Sequence, residues 1–245
     1  MELHFGFDTL VGRRTVVTVG SFDGVHAGHG ELIATLRAMA SRLDAESVVV
    51  TFAPHPRVVM GRTDGFGLLT TVEERAYLLS RCGVKHVVVA HFDEAFRSLS
   101  YEEFVQRLLV ERLGMVGMVV GYNHRLGRNS EGGFEGLQSL GARHGFEVER
   151  VAQYTDDGDK VSSTVIRTLF SEGNIRRVAQ LLGHPYIIMG KSEQGVLRVE
   201  EPYKILPSAG RYRATVNGVE QEISICGRSV MMDASCEGDV VVEFQ

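Results

Sequence analysis

The chain has 245 residues, a formal net charge of −5 and 44% hydrophobic residues. That length supports one large domain or two modest ones, and that composition excludes a disordered chain. The negative balance argues against coating nucleic acid or an anionic membrane, and three scattered cysteines (Cys82, Cys226, Cys236) suit reduced thiols better than a disulfide framework.

In chain order, the N-terminal "MELHFGFDTLVGRR" has no apolar stretch of signal length, and no run of 18 apolar residues occurs anywhere, so a cytoplasmic location is expected. "TVVTVG" (15–20) reads as a first strand, followed by the helical pattern "ELIATLRAMASRL" (31–43). "SVVVTF" (47–52) reads as the next strand and "TVEERAYLLSRCG" (71–83) as a helix, before a strand "KHVVVAHF" (85–92). "SYEEFVQRLLVERLG" (100–114) is a helix, "MVGMVVG" (115–121) a strand, and "FEVERVAQ" (146–153) a fifth strand. The helices from 71 and 100 open with a Thr or Ser cap, carry glutamates in the first turn and stop at glycine. The strands are apolar nearly throughout, as in a parallel sheet covered on both faces. The order predicts a doubly wound α/β domain with ligands beyond the carboxyl ends of its strands. After "IRRVAQLLGHPYIIMG" (175–190) the pattern changes to short alternating segments with glycine turns, predicting about five antiparallel strands. Pro185 marks the boundary, giving domains 1–184 and 185–245.

Chemistry concentrates in "GSFDGVHAGHG" (20–30), between the first strand and the first helix. A glycine-rich turn lets backbone amides approach a phosphate chain, and the following helix aims its positive end there. His26 and His29 add donors for oxygens that gain charge in phosphoryl or nucleotidyl transfer. Two surface histidines in a flexible loop is the bland alternative, and H-x-G-H at a strand-to-helix turn outweighs it. No Gly-Lys-Ser/Thr follows, so this is not a P-loop, and G-x-G-x-x-G is absent. With no third ligand nearby, the histidine pair is assigned no metal. In "VSSTVIR" (161–167), Ser162, Ser163 and Thr164 suit a helix cap, and Arg167 adds a guanidinium to the same face. In "TFAPHP" (51–56) the two prolines stiffen an extended turn, where Phe52 and His55 can pack against a flat ring.

These segments resemble a known family. "GSFDGVHAGH" is similar to the G-x-F-D-G-x-H-x-G-H motif of the HxGH nucleotidyltransferases, specifically the bacterial FAD synthetases (riboflavin kinase/FMN adenylyltransferases). "TFAPHP" matches T-F-x-P-H-P, "VVGYNHRLGRNSEGG" (119–133) resembles V-G-x-(D/N)-F-x-F-G-x-x-x-x-G, and "VSSTVIR" resembles I-S-S-T-x-I-R. Four ordered motifs over about residues 10–190 make the resemblance specific.

The resemblance implies an HxGH Rossmann-type fold and transfer of AMP from ATP to FMN, with Mg²⁺ bridging phosphate oxygens. It implies catalytic roles for His26, His29 and Arg167. It places ATP near Gly20, Phe22, Asp23, Asn123, Ser162, Ser163 and Thr164, and flavin near Phe52, Pro54, His55 and Pro56. His124 and Leu126 stand where the family has phenylalanines, which weakens ring stacking there, and Arg125 and Arg128 read either as solvated loop charges or as minor phosphate contacts. The tail lacks the family's G-x-P-T-A-N motif but keeps a segment like L-P-x-x-G-x-Y in "YKILPSAGRYRATVNG" (203–218), so a reduced riboflavin-kinase-like barrel without kinase activity is expected. The alternatives are adenylyl or cytidylyl transfer to another phosphorylated acceptor, and a flavin- or nucleotide-binding module without turnover.

Overall fold

Valine-rich segments form the central layer, with Thr15, Thr18, Ser47 and Thr51 buried beside the valines: Thr15–Val19 is buried at all five positions and Glu46–Ala53 at five of eight. The computed structural model describes residues 1–128, 131–156 and 158–245. In chain order the elements are β1 (Glu2–Phe5), β2 (Thr15–Val19), α1 (Ala27–Arg42), β3 (Glu46–Ala53), α2 (Pro56–Val59), α3 (Val72–Arg81) and β4 (His86–His91). Next come α4 (Glu94–Arg97), α5 (Tyr101–Glu103) running into a π-helix (Phe104–Val110), β5 (Met115–Val120), α6 (Phe134–His144) and β6 (Glu147–Arg150). The ribbon β7 (Thr155–Asp156) and β8 (Asp159–Lys160) leads to α7 (Ser163–Ser171) and α8 (Ile175–Leu182). Last are β9 (Ile187–Glu193), β10 (Val196–Arg198), β11 (Gly210–Val216), β12 (Val219–Cys226), β13 (Ser229–Met231) and β14 (Gly238–Phe244).

The chain packs as two compact units: 1–22, 28–63 and 76–154 form the first, and 23–27, 64–75 and 155–245 the second. The first holds a parallel sheet in the order β1-β4-β3-β2-β5-β6, the doubly wound arrangement that the alternating pattern predicts. Its core runs from Val17, Val48 and Val88 on the sheet to Phe104, Leu109 and Leu137 on the covering helices. The second unit contains a closed antiparallel barrel of six strands, β10-β13-β12-β11-β14-β9, one more strand than the turn spacing suggests.

Three local differences from the sequence reading have physical causes. β1 is an edge strand too short to show a period, and it earns its place by pairing in parallel with β4. Helix α1 starts four residues before the predicted start, because Gly28 and Gly30 mask its first turn. Residues 104–110 wind as a π-helix, with Glu111 N–H bonding Gln106 O at 3.0 Å and Leu113 N–H bonding Leu108 O at 3.2 Å. Phe104, Leu109 and Leu113 are all in the core, and their steps of five and four residues fit this wider turn better than 3.6. The predicted caps are present: Thr71 and Glu74 bond each other's backbone N–H at 3.2 and 2.8 Å, and Ser100 with Glu103 forms a capping box. Gly114, at φ 60, closes the π-helical segment where a Cβ would lie 1.8 Å from Arg13 O, so only glycine fits.

Candidate nucleotidyl-transfer site

The chain leaves β2 through a strained turn. Phe22 and Val25 have φ of 48° and 42°, with Gly24 at 84° between them. Side-chain-bearing residues at such angles cost about 1–3 kcal/mol each and persist where surrounding structure holds them, often at functional sites. In the first unit, the Phe22 ring is buried and lies 4.7 Å from the His29 ring, and Thr51 Oγ1 donates to Ser21 O at 2.9 Å. His26 directly precedes α1, and His29 sits in the first helical turn rather than in a loop. The motif therefore occupies a helix N-terminus, where free amides and the helix dipole favour anions.

In the second unit, Asp23 is the hub. Fully buried, it accepts from Leu69 N–H at 3.1 Å, Thr70 N–H at 2.8 Å, Thr70 Oγ1 at 3.1 Å and Arg167 Nη2 at 2.5 Å. Arg167 also donates through Nε to Gly67 O at 2.6 Å and lies over the Phe66 ring at 4.7 Å. Ser163 Oγ donates to Asp23 O at 2.8 Å, while Ser162 caps α7 by accepting from Val165 N–H at 3.4 Å. Thr164 is exposed. Burial pushes the His26 imidazole down to about 4, against the opposing pull of Asp23, so His26 is neutral at pH 7. Sequence reasoning brought Asp23, His26, Ser163 and Arg167 together but missed segment 67–70, which carries only an ordinary loop pattern.

A cavity of about 670 Å³ opens in the first unit. Its walls include Val19 at the end of β2, Gly20 and Ser21 after it, Phe52 on β3, Phe92 after β4, and His124 and Arg125 after β5. It thus lies at the carboxyl ends of the strands and straddles the β2–β5 pair, where strand order reverses. His55 and Pro56 also line it. Pro56 begins helix α2, capped by His55, whose Nδ1 accepts from Arg57 N–H at 3.1 Å, so the expected stiff extended turn is a helix start. Pro54 follows a cis peptide bond, and Asn123 is exposed. Asn129 and Ser130, within the 119–133 segment, lie outside the described residues.

Aromatic rings arrive from elements that the motifs do not mark. Phe52 packs at 5.5 Å from Phe92 and 5.9 Å from Phe96, which is 5.5 Å from Phe104. Leu126 and His124 both line the cavity; Leu126 is buried, and His124 has a buried Nε2 with no hydrogen-bond partner among the described residues. Burial lowers His124 to about 4, so it too is neutral. Arg62, Arg97, Arg125 and Arg128 supply positive charge to the same walls.

The sequence matches the FAD synthetase family over residues 9–165. The chain belongs to the FAD synthetase family. A bifunctional riboflavin kinase/FMN adenylyltransferase of Escherichia coli (strain K12) is 33% identical over 180 residues, covering 74% of this chain and 58% of that protein. One from Listeria monocytogenes is 34% identical over 218 residues, covering 83% of this chain and 68% of that protein. This FAD synthetase-family chain thus spans less than two thirds of the E. coli relative's length. In structure it resembles a crystal structure named as a macrolide-efflux protein from Streptococcus pneumoniae, with a TM-score of 0.81 at 22% identity, over 99% of this chain and 89% of that one. At that identity the likeness shows the fold. Among the described residues, no helix is long and apolar enough to cross a membrane.

Proposed function

We propose that the chain is an FMN adenylyltransferase, joining AMP from ATP to FMN to give FAD and pyrophosphate. The observation that carries this reading is the cavity at the strand switch point. Its 670 Å³ suits a drug-sized ligand, its Phe52, Phe92 and Phe96 rings offer faces to an isoalloxazine, and its arginines suit a phosphate. Transfer to a different phosphorylated acceptor gained support from the rings lost at 124 and 126, and Phe92 and Phe96 remove that support.

In the reaction, an oxygen of the FMN phosphate attacks the α-phosphorus of ATP in line. The bond from that phosphorus to the bridging oxygen breaks, and pyrophosphate leaves with the electron pair. Positioning and charge stabilisation carry catalysis, with no covalent enzyme intermediate. His29, on the first turn of α1, donates to phosphate oxygens where helix amides also point. His26, neutral, donates a hydrogen bond without introducing a full charge. Ser163, Thr164 and Arg167 hold the departing pyrophosphate, and Arg167 exchanges its Asp23 partner for phosphate to do so. Gly20 and Phe22 shape the approach of ATP, and Asp23 serves as the positioning residue. Asp23 is the one carboxylate in 20–30, and both its oxygens are committed within the chain, so Mg²⁺ would be held by phosphate oxygens and water. When bound, that ion neutralises charge developing on the phosphates. Riboflavin phosphorylation is not part of the proposed activity, since residues 190–245 carry no G-x-P-T-A-N.

The deciding assay measures pyrophosphate and FAD from FMN, ATP and Mg²⁺, with riboflavin plus ATP in parallel. FAD formation without FMN formation is expected. Pyrophosphate release with another phosphorylated acceptor but not with FMN would overturn the reading, as would release with neither.

A further inference from the structure

The sheet's other end, at the amino termini of β1, β3 and β4, carries a second cluster of chemistry. Glu2 pairs directly with His86 across β1 and β4, and His4, two residues along β1, projects from the same face as Glu2. We propose that Glu2, His4 and His86 form a site for one divalent transition-metal ion, with Zn²⁺ the best fit.

The distances match tetrahedral coordination. His4 Nε2 lies 3.1 Å from His86 Nδ1, and Glu2 Oε2 lies 3.4 Å from His86 Nδ1 and 3.7 Å from His4 Nε2. An ion with bonds of about 2.0–2.1 Å to tetrahedral ligands separates them by roughly 3.3–3.4 Å, so the triangle needs adjustments of a few tenths of an ångström. Two imidazoles and one carboxylate leave the fourth vertex for water. Access is open, since the Glu2 side chain is 62% exposed while those of His4 and His86 are 10% and 3% exposed.

A further feature prepares the set. The far nitrogen of His86, Nε2, lies 3.3 Å from Glu46 Oε2, and Arg13 grips that carboxylate at 2.8 and 2.9 Å. A carboxylate behind a ligating imidazole orients the ring and raises its basicity. The bound ion ties edge strand β1 to β4, its neighbour in the sheet.

The test uses the full chain, freed of metal by chelation and titrated with ZnCl₂ against a chromophoric competitor, then with Co²⁺ while visible absorption is recorded. One equivalent of Zn²⁺, a tetrahedral Co²⁺ band and a raised melting temperature are expected. His4→Ala should abolish these, and Glu2→Gln, at an exposed position that keeps the fold, should weaken Zn²⁺ binding about tenfold or more. Circular dichroism confirms folding, and Glu2→Gln decides the matter if His4→Ala unfolds. No uptake by the parent, or undiminished uptake in a folded variant, overturns the site and leaves a hydrogen-bonded histidine pair.

Discussion

His29 and Arg167 divide the proposed chemistry between a donor built on a helix and a cation held in reserve. Removing one preorganised donor at a developing oxyanion costs on the order of 3–4 kcal/mol, so His29→Ala should lower the FAD formation rate about a hundredfold or more while leaving the fold intact. Steady-state rates at saturating ATP check this, and near-normal turnover would remove His29 from the mechanism. Arg167→Lys keeps the charge but loses the planar fork, both for Asp23 at 2.5 Å and for phosphate oxygens. It should reduce both rate and ATP affinity; a lysine variant matching the parent in both would reduce Arg167 to a structural role. His26 makes a statement about pH. Its folded value of about 4 lies below the roughly 6.5 of an exposed imidazole, so the unfolded chain binds more protons between these values. Stability from this residue is full above about pH 6.5 and falls as pH drops towards 4, by about 3 kcal/mol in all. Urea denaturation from pH 4 to 7 checks it, with the His26→Gln variant showing a flatter slope. An equal slope in that variant would mean that His26 titrates normally.

At the scale of elements, what was legible depended on whether a residue pattern acts locally. The apolar runs of β2 to β5 and the caps at Thr71 and Ser100 are local signals, and the structure contains them. The H-x-G-H motif hid its own conformation, since Gly28 and Gly30 obscured the start of a helix. The aromatic wall was illegible for another reason: Phe92 and Phe96 lie beyond the ends of the sequence motifs and meet Phe52 only after β3 and β4 pair. Edge strand β1, with its metal-type cluster, likewise needs pairing with β4 to bring Glu2 and His4 to His86. The turn 22–25 gives this scale its prediction. Gly24, at φ 84°, would place a Cβ 2.8 Å from Leu69 Cδ1, beside the residue whose N–H holds Asp23. Gly24→Ala should therefore destabilise the protein by about 1–3 kcal/mol and impair FAD synthesis beyond the loss of folded protein. A melting curve and a rate unchanged from the parent would show that the turn tolerates a side chain.

At the scale of the whole molecule, hydrogen bonds within the second unit connect the barrel to the segment that holds Asp23. Within the second unit, Lys204 is fully buried and donates to Leu69 O at 2.7 Å and Ile187 O at 2.9 Å, and it pairs with equally buried Glu74 at 2.7 Å. Glu74 Oε1 in turn accepts from Met189 N–H of β9 at 3.0 Å. Leu69 therefore spends its carbonyl on the barrel and its N–H on Asp23, the partner of Arg167. Burial lowers the Lys204 ammonium, while Glu74 pulls the other way. Such a pair contributes little against a well-packed apolar substitute, but breaking it strands a charge out of water. Lys204→Met should thus cost about 3–5 kcal/mol, read by urea denaturation at pH 7, and Lys204→Met combined with Glu74→Leu should regain much of that loss. If the barrel also sets the phosphate-binding side of the site through Leu69, the double variant will fold yet make FAD more slowly than the parent. A double variant that regains both stability and full rate would leave the barrel a stabilising partner with no hold on Asp23 and Arg167. A single variant as stable as the parent would mean that Lys204 and Glu74 are not paired at all.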